Sequence, residues 1–110
     1  VISRGGVWVN EPVKANAPSD AFLISGFDNR NLHLSHSGAE PATIALEVDR
    51  EGDGRWTSFK SVTVSSTRPI WLDLSGLGEA VWMRLSSDRE LTGATGWFAM
   101  SRNDSRTDIS

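Results

Sequence analysis

Trp82 and Arg84 stand two residues apart in the run Val81-Trp82-Met83-Arg84-Leu85, and that spacing is the strongest chemical signal in the chain. On a β-strand, period two sends both side chains to one face, roughly 7 Å apart. An indole beside a guanidinium suits a sugar. The ring stacks on the apolar face of a pyranose, and the guanidinium fork reaches hydroxyls, sulfate or carboxylate. The pair also fits a plainer use, with Trp82 packed under a loop and Arg84 laid across it in a cation–π contact. Trp97 and Trp71 pose the same question. In the last apolar run Phe98 and Met100 make a bulkier inward pair than Trp97 and Ala99, which turns Trp97 outward. Trp71 is opposite in parity to Ile70, Leu72 and Leu74, so it leaves the main core as well. If their strands shared a sheet, Trp71, Trp82 and Trp97 would form one exposed aromatic strip, the kind of patch that marks a binding surface. Trp56 is expected to cap the end of the fold; Trp8 fits either a core or a surface position.

Polar candidates gather around two turns. Asp28, Arg30 and His36 would supply hydrogen bonds to sugar hydroxyls, and together with His33 and Ser35 they have the residue types of an acid–base cluster, both histidines being read on the solvent-facing parity. Catalysis is not expected from this set. There is no Cys and no G-x-S-x-G turn to present a nucleophile, and one small sandwich offers little cleft for paired carboxylates. In the second turn, Asp49-Arg50-Glu51-Gly52-Asp53-Gly54 has the alternating carboxylates of a calcium loop, so Asp49, Glu51 and Asp53 are the candidate metal ligands. The loop lacks the bidentate Glu six residues on, and Asp-Gly is ordinary hairpin chemistry. The plain hairpin is the preferred reading, with calcium the one cofactor considered.

The elements that must hold these residues read as strands throughout. Pro41–Val64 is a β-hairpin. Ile44, Leu46 and Val48 alternate with polar residues, the Asp49–Gly54 turn follows, and the second arm carries Trp56 and Phe59 on opposite parities, which predicts a bulge near Ser58. Upstream, Val7–Val9 reads as a short edge strand with a connecting arm to Asp20. Phe22–Ile24 and Leu32–His36 read as a second hairpin around the turn at 28–31. Downstream, strands are expected at Ile70–Leu74, Val81–Ser86 and Leu91–Met100. No helical period appears, and turns recur about every 8–12 residues, the spacing of an antiparallel β-sandwich of immunoglobulin-like or jelly-roll type with about seven to eight strands. Residues 1–100 make one domain, and 101–110 have the composition of a polar tail or linker.

Composition narrows the partner classes. A chain of 110 residues can bury a core without disulfides or a structural metal. The net charge of −3, with no basic stripe, argues against a nucleic-acid partner. No apolar run approaches the roughly 20 residues needed to cross a bilayer, so no membrane partner is expected. Five tryptophans against no tyrosine are more than a sandwich of this size readily hides.

Trp8, the segment PVKANAPSDAFLISGFDNRNLHLSHS, the EVD…GDGRW hairpin and VWMRLSSD together resemble a C-terminal β-sandwich module of secreted bacterial enzymes and β-propeller proteins from polysaccharide-degrading organisms. The likeness covers most of residues 7–100. It implies a carbohydrate-binding-module architecture, a secreted, periplasmic or cell-surface location, and an attached catalytic domain in the full-length protein. The expected function is therefore a non-catalytic module that binds a polysaccharide or oligosaccharide. An algal galactan such as agarose, porphyran or carrageenan is the preferred ligand, read by Trp82, Trp97, Arg84 and His36. The alternative is an accessory domain whose Trp-rich face packs against a catalytic or propeller neighbour.

Overall fold

The computed structural model describes residues 2–27 and 29–101; Asp28 and the polar tail from 102 to 110 lie outside the described residues. Eight strands follow one another: β1 (Ile2–Val13), β2 (Phe22–Leu23), β3 (Asn29–Ser35), β4 (Ala42–Asp49), β5 (Thr57–Val64), β6 (Ile70–Asp73), β7 (Trp82–Ser87) and β8 (Leu91–Ser101), with a 3-10 turn at Ser75–Leu77. They form two antiparallel sheets, ordered β1-β8-β3-β6 and β2-β7-β4-β5. Every strand pairs with its mirror image in the chain: β4 with β5, β3 with β6, β2 with β7, β1 with β8. The β3–β8 and β4–β7 pairings stitch these ladders into sheets. One long hairpin, tipped by β4–β5 and rolled on itself, is the jelly-roll form of the sandwich.

Alternation along the strands builds the core. Ala42, Ile44, Leu46 and Val48 from β4, Met83 and Leu85 from β7, Leu32 and Leu34 from β3, and Phe98 and Met100 from β8 are all buried between the sheets. Phe22 of one sheet stacks on Phe98 of the other with ring centroids 4.6 Å apart, a direct inter-sheet tie. Gly5 makes room for Phe22, since a Cβ there would lie 2.7 Å from its ring, and Gly96 does the same for Leu85, whose Cδ1 would lie 2.7 Å from a Cβ at 96. Trp8, only 5% exposed, belongs to the core.

Two local expectations change and a third holds. The first strand runs from Ile2 to Val13 rather than Val7 to Val9; its long partner β8 carries it through residues of poor strand propensity, with register shifts after Gly6, Trp8 and Glu11. It is an edge strand, where Pro12 is tolerated. Phe22–Ile24 and Leu32–His36 do not form a hairpin: β2 pairs with β7 in one sheet, and the chain then crosses to β3 in the other. A short apolar run before a polar turn reads the same in both arrangements. The bulge in β5 is present, since Leu46 faces Lys60 while Glu47 faces Ser58, leaving Phe59 as the extra residue.

Candidate functional site

The five indoles divide between the core and two opposite outer faces. On the β1-β8-β3-β6 sheet, register aligns Gly6, Trp97, His33 and Trp71 in one cross-strand row. All have the parity opposite to buried Leu32, Leu34 and Phe98, so the row faces outward. Trp71 is 65% exposed, and its ring meets that of His33 with centroids 4.5 Å apart and planes tilted by 44°. Trp97 is half-buried and lies against the backbone of Gly6, where a Cβ would come within 3.0 Å of the indole. Glycine is needed there for the ring to lie close to its sheet. Between the indoles, His33 Nδ1 is buried without a hydrogen-bond partner. The span from Trp97 to Trp71 is two inter-strand spacings, roughly 10 Å.

The neighbouring row on this face is Arg4, Ala99, Asn31 and Asp73. Ala99 leaves a shallow depression of about 200 Å³ lined by Arg4, Asn31, Ala99, Met100 and Ser101. At the far end, the amide of Ser75 donates to Asp73 Oδ1 at 2.9 Å. That amide, helped by the Ser75 side chain, holds the Asp73 carboxyl below its ordinary value and keeps it charged.

Trp82 and Arg84 share an outer face as their spacing requires, but it is the face of the other sheet. The expected strip of Trp71, Trp82 and Trp97 is thus corrected to a pair, Trp71 with Trp97, and a separate Trp82. Parity told outside from inside within each strand, and a sandwich has two outsides. Arg84 is not aimed at solvent. Its Nε donates to Glu47 Oε1 at 2.8 Å, and its guanidinium lies 4.4 Å from the ring centre of Trp56. The plain cation–π reading of Arg84 holds with Trp56 in the place of Trp82, and Trp56 is a half-buried platform for Arg84 rather than an end cap. Trp82 pairs in register with Leu23, which is 46% exposed.

Two further candidates, His36 and Arg30, are committed to the fold, and Asp28 lies outside the described residues. His36 has the parity of Leu32 and Leu34, not of His33, and is buried; its Nε2 lies 2.7 Å from the Val64 carbonyl and its Nδ1 accepts from the Gly38 amide at 3.0 Å. That corrects its assignment to the solvent side. Arg30 donates from Nε to the Phe27 carbonyl and from Nη1 to the Gly78 carbonyl, both at 2.9 Å. Arg50 completes the clamp, donating from Nη1 to the carbonyls of Leu77 and Glu79 at 2.9 and 3.0 Å. The two guanidinium groups pin segment 77–79 beside a cleft of about 250 Å³.

The Asp49–Gly54 loop closes on a carboxylate. Asp49 is buried; its Oδ1 accepts from the amides of Gly52 and Asp53 at 2.8 and 3.2 Å, and its Oδ2 from Gly54 at 2.8 Å. Burial acts to raise the Asp49 carboxyl, but the amides of Gly54, Gly52 and Asp53 outweigh it and leave it below the ordinary value of 3.8. Asp53 turns to Arg55, accepting its amide at 3.0 Å. Asp49, Glu51 and Asp53 are therefore not brought together around a cation, and among the described residues no group of three or more His, Cys, Asp or Glu is placed to hold a metal.

His33, Asn31 and Arg4 are the outer-face residues that the motifs of the sequence did not single out as ligands. Parity places His33 outside, but its position between two tryptophans depends on β3 lying between β8 and β6. Compared with known proteins, the chain matches no family model, and no curated protein aligns with it.

Proposed function

We propose that the domain is a non-catalytic carbohydrate-binding module whose ligand lies on the outer face of the β1-β8-β3-β6 sheet. The observation that carries this reading is the cross-strand row Trp97–His33–Trp71 with Trp71 65% exposed. A large apolar ring held out in water is costly unless a partner covers it, and a row of rings flanked by free polar side chains matches the alternation of apolar faces and hydroxyls along a saccharide chain. Trp71 and Trp97 stack, while Asn31 and the His33 edge set orientation. Held on a polysaccharide this way, the domain would keep an attached catalytic domain at its substrate by raising effective concentration.

Affinity gel electrophoresis over a panel of neutral and acidic polysaccharides tests the reading. The wild type should be retarded by at least one of them, Trp71→Ala should run freely, and Trp82→Ala should still be retarded. Unretarded wild type across the whole panel overturns it.

A second reading draws on the opposite sheet, where exposed Leu23 lies beside Trp82. This smaller apolar patch suits packing against an attached domain. Trp82 emission that stays equally accessible to iodide in the isolated domain and in the full-length protein would exclude such packing.

A further inference from the structure

We propose that the glycan face is selective for an anionic saccharide and that Arg4 reads its negative group; this rests on the glycan-binding reading of the Trp97–His33–Trp71 row. Arg4 is exposed on edge strand β1 and, among the described residues, makes no ion pair or side-chain hydrogen bond. Arg30, Arg50 and Arg84, by contrast, are spent on carbonyls or on Glu47. Register places Arg4 opposite Ala99 and two residues from Gly6, the partner of Trp97. That is a diagonal cross-strand neighbour of the indole, about 7–8 Å away.

Arg4 borders the 200 Å³ depression over Ala99, with Asn31 on the other side. A sugar stacked on Trp97 would set a substituent into that depression, between a guanidinium fork and an amide. The fork matches a carboxylate or a sulfate ester bidentately, and Asn31 can serve a neighbouring hydroxyl. The same row ends, three strand spacings or about 14 Å away, in the charged Asp73. A cation at the β1 end and an anion at the β6 end orient an acidic sugar one way, its negative group over β1 and its neutral ring on Trp71.

Isothermal titration with matched pairs tests this: tetragalacturonic acid against its methyl ester, and a sulfated galactan oligosaccharide against its desulfated form. The acidic member of at least one pair should bind about tenfold or more tighter, and that ratio should shrink in 0.5 M NaCl. Arg4→Gln should bring the ratio close to one, and Arg4→Lys should recover part of it. Unchanged thermal melting of both variants would confirm that the fold is intact. Which pair discriminates tells carboxylate from sulfate. Equal binding within both pairs, or an acidic preference that survives Arg4→Gln, overturns the role of Arg4 while Trp71-dependent binding leaves the glycan reading standing. Binding by none of the four overturns both.

Discussion

Arg84 separates the two faces experimentally. Its guanidinium is hydrogen-bonded to Glu47 and stacked on Trp56, and the side chains of the ion pair are 26% and 28% exposed. At that degree of exposure, water screens only part of the attraction, so the pair contributes on the order of 1 kcal/mol, and the cation–π contact adds roughly 0.5–1 kcal/mol. Arg84→Met keeps most of the aliphatic stem and removes both terms. It should lower stability by about 1.5–2 kcal/mol, which for a domain of this size is a fall in Tm of about 6–9 °C. Urea unfolding of Arg84→Met, Glu47→Gln and the double variant should show a coupling energy of about 1 kcal/mol, and the cycle with Trp56→Leu a coupling of roughly 0.5–1 kcal/mol. The first coupling should weaken in high salt more than the second. Glycan retardation by Arg84→Met should match the wild type. A variant that melts normally but no longer binds would refute this assignment and return the site to Trp82 and Arg84.

Trp8→Ala empties a buried position and should cost about 3–5 kcal/mol, whereas Trp71→Ala, mostly exposed, should cost only about 0.5–1 kcal/mol; chemical denaturation of the two variants makes the comparison. The depressed Asp49 carboxyl contributes stability that is fully present above its unfolded value of 3.8 and is lost as pH falls through the folded value below it. Asp49→Asn should therefore melt lower than the wild type at pH 7 and show a shallower decline below pH 3.8, read by thermal melts on a pH series; parallel acid limbs would contradict the loop anchor. Gly96→Ala pushes a methyl group to within 2.7 Å of Leu85 Cδ1 in the centre of the sandwich and should cost about 1–3 kcal/mol, seen as a lowered urea midpoint.

Parity made much of the interior legible. Ile44, Leu46 and Val48, then Met83 and Leu85, then Phe98 and Met100 alternate cleanly, and each lies where its strand sends it. The extra residue in β5 was visible as the clash between the parities of Trp56 and Phe59. His36 could have been placed inside by the same rule, since it shares parity with Leu32 and Leu34. Which sheet a strand joins was not legible, because in-and-out alternation is identical on both sides of a sandwich. For that reason Trp82 read as a neighbour of Trp97, and β2 as a hairpin partner of β3. The role of Asp49 was hidden for another reason. A carboxylate that gathers three backbone amides and one that gathers a cation sit in loops of the same composition, and only the direction of the amides distinguishes them. Arg4 carried no signal at all until β1 proved long enough to bring it beside Ala99.

The mirror-image pairing of the strands also sets an order of events in time. Among the described strands, only β4 and β5 are partners adjacent in sequence, and their turn is fastened by Asp49. Each further pair encloses a longer loop, from β3–β6 through β2–β7 to β1–β8, so its closure entropy is greater and its contacts cannot reward the chain until the inner pair has formed. Folding should therefore nucleate at the β4–β5 tip and zip outward. Substitutions such as Ile44→Val should slow refolding, while Val13→Ala should mainly speed unfolding. The outer face of the β1-β8-β3-β6 sheet, whose rows begin on β1, would then be the last surface of the domain to be assembled.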